Sequence, residues 1–206
     1  MLKIHILGGP GSGKTTLGQE IASRLHIPHY DLDKIGWKYA GQMAAGMDEI
    51  FAIARQPAWV TENIGLIWTD PLLYQADCIV LLEVPWPVAV WRIICRHIGK
   101  TLNGTNPYRT RLLFPFLKDT RRYYVDKVSA DPSMAEAVHA YLEEHEGDGA
   151  KVADAEALLT CFEKYSCVIP LTADFVCMYL EKYKEKVFFV KNHADRERLF
   201  ALLQCD

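Results

Sequence analysis

Gly8-Gly9-Pro10-Gly11-Ser12-Gly13-Lys14-Thr15 is the stretch that decides how this chain folds. It fills every fixed position of the pattern G-x-x-x-x-G-K-[ST]. Glycines let the main chain wrap tightly, so that successive N–H groups turn into the loop and meet anionic oxygens. Such a loop needs a strand to deliver it and a helix whose positive N-terminal end backs it. Both flanks are present. Lys3–Leu7 is a short apolar strand, and beyond Lys14 the residues Leu17, Ile21 and Leu25 recur every four positions up to the break at Pro28. Lys14 brings a point charge to outer phosphates, and the Thr15 hydroxyl suits Mg²⁺. Gly9, Pro10, Gly11, Ser12, Gly13, Lys14, Thr15 and Thr16 therefore read as a nucleotide-binding loop.

Outward from this loop, apolar runs alternate with helical patterns, as in an α/β fold with a parallel sheet covered by helices. Pro28–Leu32 and Ala58–Thr61 are the next strands. Asp77–Val84 is apolar on both faces, as the centre of such a sheet requires. A helix follows over Pro87–His97, and residues 99–108, rich in Gly, Asn and Thr, read as a lid loop. Tyr108–Lys127 is helical in pattern, with Pro115 expected to kink or break it. Residues 126–170 read as a helical insertion. Asp131-Pro132 opens one helix toward Glu146, Gly147-Asp148-Gly149 stops it, and Ala150–Tyr165 starts another. Thr172–Lys184 is a further helix, Val187–Val190 the last strand, and Asn192 with Asp195 a capping box for the closing helix.

The 206 residues suit one domain with an insertion, spanning 1–206. Half of them are hydrophobic, enough for a core without disulfides or metals. A net charge of -3 argues against direct nucleic-acid binding. The sequence lacks a secretory signal, and Cys78–Val84 is too short for a membrane span, so a cytoplasmic protein with no membrane partner is expected. Six scattered cysteines without a C-x-x-C pair fit reduced thiols rather than a zinc site. Monomer is the favoured state.

Three carboxylates follow strands. Asp31 and Asp33, two apart on an extended chain, project to the same side. One would orient Mg²⁺ through water and the other accept a proton from an attacking hydroxyl; a pair of solvated turn acids is the competing reading. Glu62 is positioned to assist Mg²⁺ together with Thr15 and Asp31, and Glu83 is its rival. Arg92 and Arg96 share one helix face before the 99–108 loop. Arg109, Arg111, Arg121 and Arg122 follow the loop. Planar guanidinium groups suit a transferring phosphoryl group, so Arg92, Arg96 and Arg122 join Lys14 and Asp33 as expected catalytic residues. Lys34 and Lys38, with Trp37, Tyr39 and Arg55 nearby, fit either an acceptor-binding face or a solvated one.

In these residues the chain resembles small P-loop kinases of the adenylate kinase and shikimate kinase type. It resembles most the bacterial adenylate kinase-related topology modulation proteins. The resemblance runs through Gly8–Thr16, Asp31-Leu32-Asp33 with Trp37, Trp59–Asn63, Ala76–Pro85, Arg92 and Arg96, and Lys186–Leu203. It implies a three-layer fold with five strands in the order 2-3-1-4-5 and ATP-Mg²⁺ on Gly9–Thr16. It also implies Arg92 at the adenine, Arg96 at the phosphates and Asp33 at the acceptor. The third-strand acid is Glu62 where Asp is more usual, Asn63 replaces a frequent Gly, and the lid is short. The implied activity is transfer of the ATP γ-phosphoryl group to a nucleotide or other small molecule. The alternative is an ATP-binding regulatory protein without kinase turnover. Neither an N-K-x-D guanine motif nor G-x-G-x-x-G is present, which sets aside GTPases and dinucleotide oxidoreductases.

Overall fold

In the computed structural model, the described residues are 2–144, 155–166, 169 and 171–203. Five strands form one parallel sheet: β1 (Lys3–Gly8), β2 (His29–Asp31), β3 (Trp59–Asn63), β4 (Cys78–Leu82) and β5 (Val187–Val190). Their order is β2-β3-β1-β4-β5, as the resemblance implied. The first helices are α1 (Lys14–Leu25), α2 (Leu32–Lys38), α3 (Met43–Ala54), α4 (Asp70–Gln75) and α5 (Trp86–Leu102). They are followed by α6 (Leu113–Val125), α7 (Pro132–Glu144), α8 (Ala155–Tyr165), α9 (Ala173–Leu180) and α10 (His193–Leu203).

The period-2 alternation of the strands makes the three layers. Ile4 and Ile6 of β1 and Val80 and Leu82 of β4 pack with Leu17 and Ile21 of α1 and Leu199 and Phe200 of α10. Leu7, Ile79 and Leu81 point the other way, into a core with Ile50, Ile53, Leu72, Tyr123 and Phe175. Val138, Tyr141 and Tyr165 of the 126–170 stretch belong to that second core, so α7 and α8 are packed into the body.

Several boundaries differ from the sequence expectation. β2 ends at Asp31 and α2 begins at once, so Asp31 and Asp33 do not lie on one extended segment. Asp31 is the N-cap residue of α2 and Asp33 lies in its first turn, where a carboxylate favours the helix dipole. Helix α3 was not anticipated; its run Met43-Ala44-Ala45-Gly46 has no marked polar face. Helix α5 continues through Leu102, so the loop read over 99–108 begins only at Asn103. Gly99 is tolerated there inside a helix that already has four turns. Pro115 neither kinks nor breaks α6, because the helix starts at Leu113 and Pro115 sits in its first turn. Thr172 caps α9 by accepting from the Phe175 N–H at 3.1 Å, but α9 ends at Leu180 and a 3₁₀ segment covers Glu181–Lys186. The Asp131 cap of α7 is present, bonding the Ser133 N–H at 3.0 Å. The stop at Gly147-Asp148-Gly149 and the start at Ala150 lie outside the described residues.

Candidate active site

Parallel pairing sets Glu62 of β3 beside Ile6 of β1 on one side and Asp31 of β2 on the other. These strand ends meet the loop Gly8–Gly13 at the carboxyl edge of the sheet, where open α/β sheets form their crevice. A cleft of about 1290 Å³ lies there.

The loop has its shape for stated reasons. Gly11 and Gly13 have φ of +83° and +102°, values that a side chain disfavours. A Cβ on Gly11 would also stand 2.7 Å from the Ala89 carbonyl oxygen. The Ser12 N–H donates to the Gly9 carbonyl at 3.1 Å, closing the turn. Ser12 Oγ is buried and has no hydrogen-bond partner among the described residues. Pro10 through Thr16 all line the cleft, whereas Gly9 turns its open side toward Tyr123 and Tyr124 of α6.

Lys14 is only 8% exposed. Its ammonium donates to the Gly9 carbonyl at 3.3 Å. Burial pushes its pKa down; Glu62, Asp33 and Asp31 oppose that shift, and Arg96 adds to it. The Thr15 hydroxyl donates to Glu62 Oε1 at 2.7 Å. Burial raises the Glu62 carboxyl, against the Thr15 hydrogen bond and the Lys14 charge. Asp33 is raised as well, chiefly by burial, with Lys14 opposing and Asp31 reinforcing. The three carboxylates and Lys14 all line the cleft.

The structure therefore brings together Lys14, Thr15, Asp31, Asp33, Glu62, Arg92 and Arg96, all of which line the cleft. Arg92 does so with its Nη1 donating to the Ser12 carbonyl at 2.7 Å, on the loop itself. Arg122 stands apart. It is exposed and 3.8 Å from Asp119, and it does not line the cleft. The reason is helical phase: α6 turns Tyr123 and Tyr124 toward the loop, which leaves Arg121 and Arg122 facing solvent. The side of the cleft next to the 103–109 segment is formed instead by Tyr108, Leu112, Leu113 and Phe116, with His97 and Lys100 of α5. Asn106 ties the 103–109 segment to α5 through its amide, which donates to Thr101 Oγ1 at 2.8 Å. Glu83, the rival of Glu62, is held by Lys191 at 2.7 Å and is not part of the cleft wall.

Sequence reasoning missed the wall made by Lys191, Asn192, His193 and Arg196, which follows β5. Its signal was the last strand itself, since every strand end of a parallel sheet opens on the same edge. Among the described residues no three His, Cys, Asp or Glu side chains form a metal site of their own. Thr15, Glu62 and Asp31 nevertheless suit Mg²⁺, which is usually held by one or two protein groups and completed by phosphate oxygens and water. Among the described residues no helix is long and apolar enough to cross a membrane.

Strand order, loop and cleft together define an α/β protein with a P-loop at the carboxyl edge of a parallel sheet, and part of it is similar to shikimate kinases. The family model for shikimate kinase matches residues 10–59, which hold the loop from Pro10 onward, Asp31 and Asp33. The uncharacterized protein YqaC of Bacillus subtilis is 26% identical over 120 residues, covering 54% of this chain and 67% of that protein. A shikimate kinase of Bacteroides fragilis is 40% identical over 52 residues, covering 25% of this chain and 27% of that enzyme. The chain thus spans about a quarter of the length of that curated enzyme. A solved shikimate kinase structure from Bacteroides thetaiotaomicron gives a TM-score of 0.41 at 20% identity, over 59% of this chain and 78% of that one.

Proposed function

We propose that the chain is an ATP-dependent phosphotransferase whose acceptor is a small molecule bearing a hydroxyl group. The observation that carries this reading is the convergence of Lys14, Asp33 and the Thr15–Glu62 pair at one end of the cleft. A protein that only reported nucleotide binding would need the loop and Lys14, but not a half-buried carboxylate on the acceptor side.

In this reading the Gly9–Thr16 backbone holds the ATP phosphates, and Lys14 and Arg96 offset the charge that spreads over the γ-phosphoryl oxygens. Bound Mg²⁺, held by Thr15 with Asp31 and Glu62 in support, would supply charge neutralisation between the β- and γ-phosphates. Asp33 orients the acceptor hydroxyl and takes its proton as the oxygen–phosphorus bond forms and ADP leaves. Most of the rate enhancement comes from alignment and electrostatics, since this chemistry asks for little else. Beside Asp33 the cleft wall carries Lys34, which lies 3.3 Å from Asp31. Trp37, 68% exposed on the same wall, offers a flat apolar face for a ring.

The test is transfer of label from γ-labelled ATP to a panel of sugars, nucleosides, hydroxy acids and nucleotides. Stoichiometric ADP with a labelled hydroxyl product supports the reading. Firm ATP binding without transfer to any panel member would favour the regulatory alternative.

A further inference from the structure

The loop around Gly11 and Gly13 is held by two side chains, Tyr124 outside the cleft and Arg92 on its wall. The Tyr124 hydroxyl donates to the Pro10 carbonyl at 2.9 Å, and Arg92 Nη1 donates to the Ser12 carbonyl at 2.7 Å. The next N–H in each case belongs to Gly11 and to Gly13. In a trans peptide the carbonyl and the following N–H point in opposite directions, and no cis peptide is present among the described residues. Holding the Pro10 carbonyl toward Tyr124, outside the cleft, therefore turns the Gly11 N–H the other way, while the Arg92 bond fixes the Ser12–Gly13 peptide.

We infer that Tyr124 is a positioning residue that presets the phosphate-binding loop, so that its inward N–H groups are arranged before nucleotide arrives. This deepens the phosphotransferase reading and rests on it. Tyr124 does not line the cleft, so its effect must pass through the loop. Its ring is fixed on two sides, by Trp86 with centroids 5.6 Å apart and by Tyr123 at 5.1 Å. A Cβ on Gly9 would stand 2.5 Å from both the Tyr123 ring and the Tyr124 hydroxyl, so the loop lies directly against α6. Burial raises the Tyr124 phenol well above its ordinary value, which keeps the proton available for donation at any working pH. A loop already in its binding geometry loses less freedom when an anion arrives, and that gain appears as affinity.

Tyr124→Phe keeps the ring and its packing while deleting the hydroxyl. The expected result by calorimetry is a three- to tenfold weaker Kd for inorganic tripolyphosphate and for ATP, the size of one net hydrogen bond. Adenosine affinity should stay unchanged, since adenosine does not engage the loop. A residue that merely supports the fold would lower the melting temperature and move all three ligands alike. Should the variant prove unstable, 3-fluorotyrosine at position 124 strengthens the donor and should tighten tripolyphosphate binding. Wild type that binds tripolyphosphate, with Tyr124→Phe binding it equally well, overturns this inference alone. Wild type that binds neither tripolyphosphate nor ATP overturns the phosphate-binding reading and this inference with it.

Discussion

The Thr15 hydroxyl and the Glu62 carboxylate, 47 residues apart in sequence, are joined by a 2.7 Å hydrogen bond across the end of the central strands. Thr15 opens the helix after the loop and Glu62 lies near the end of β3, so parallel β1–β3 pairing brings them together. The bond points the hydroxyl and the acid at one spot. Glu62→Gln preserves an acceptor for Thr15 but removes the charge. It should raise the Mg²⁺ concentration for half-maximal turnover by about 10- to 100-fold. ATP binding measured without Mg²⁺ should hold steady; a Mg²⁺ titration equal to wild type would remove Glu62 from that role.

Asp33→Asn should keep ATP affinity within a few-fold and cut phosphoryl transfer by on the order of 10²-fold. Burial raises the Asp33 pKa, and in the proposed transfer the base form is the active one. As pH falls, Asp33 takes up its proton earlier than an ordinary aspartate with a pKa of about 3.9. The acid limb of kcat/KM should therefore lie above that value, as a property shared with Glu62. A pH–rate profile with the acid limb unchanged in Asp33→Asn would show that another group takes the proton.

His5 gives a stability prediction. It is fully buried on β1, with Nδ1 2.7 Å from Thr61 Oγ1, and burial lowers its pKa to about 3. The unfolded chain binds a proton near pH 6.5 and the folded chain does not until about pH 3. Stability that is fully present above pH 6.5 is therefore lost as pH drops through this window, by about 1.4 kcal/mol per unit from this group. Urea unfolding of wild type and His5→Gln at pH 7 and pH 5 measures it. The variant should lose less between the two values, and equal slopes would remove His5 as the cause.

Tyr141 of α7 donates to Asp70 Oδ2 at 3.3 Å and stacks on Tyr179, with centroids 5.9 Å apart. Asp70 is 4% exposed, so its carboxylate depends on donors from the protein. Tyr141→Phe should cost about 1–2 kcal/mol of unfolding free energy through that missing donor, with nucleotide affinity unaffected. Chemical denaturation reads the first quantity and calorimetry the second.

The sequence was most legible where local chemistry dictates geometry. The Gly8–Thr15 pattern, the apolar strands and the cap at Asp131 are each set by a few neighbouring residues. The strand order was legible only by resemblance, because pairing joins residues such as Ile6 and Glu62 that have no local connection. Arg122 misled for a related reason. Its nearness to the loop in sequence says nothing of its phase on α6, which is decided by Tyr123 packing into the core. The Lys186 ammonium shows the same limit. It donates to the carbonyls of Leu73, Tyr74 and Ala76 at the end of α4, a tertiary cap between segments more than a hundred residues apart.

The central claim is that Lys14 and its loop bind the phosphates of ATP for transfer. Calorimetric titration of ATP with Mg²⁺ into wild type and Lys14→Ala tests it most directly. Charge-assisted contacts of the kind proposed for Lys14 are worth about 1.5–3 kcal/mol each, so the variant should bind at least tenfold more weakly while its melting curve stays close to wild type. Wild type that shows no heat of binding at millimolar ATP, or Lys14→Ala that binds as tightly as wild type, would contradict the account.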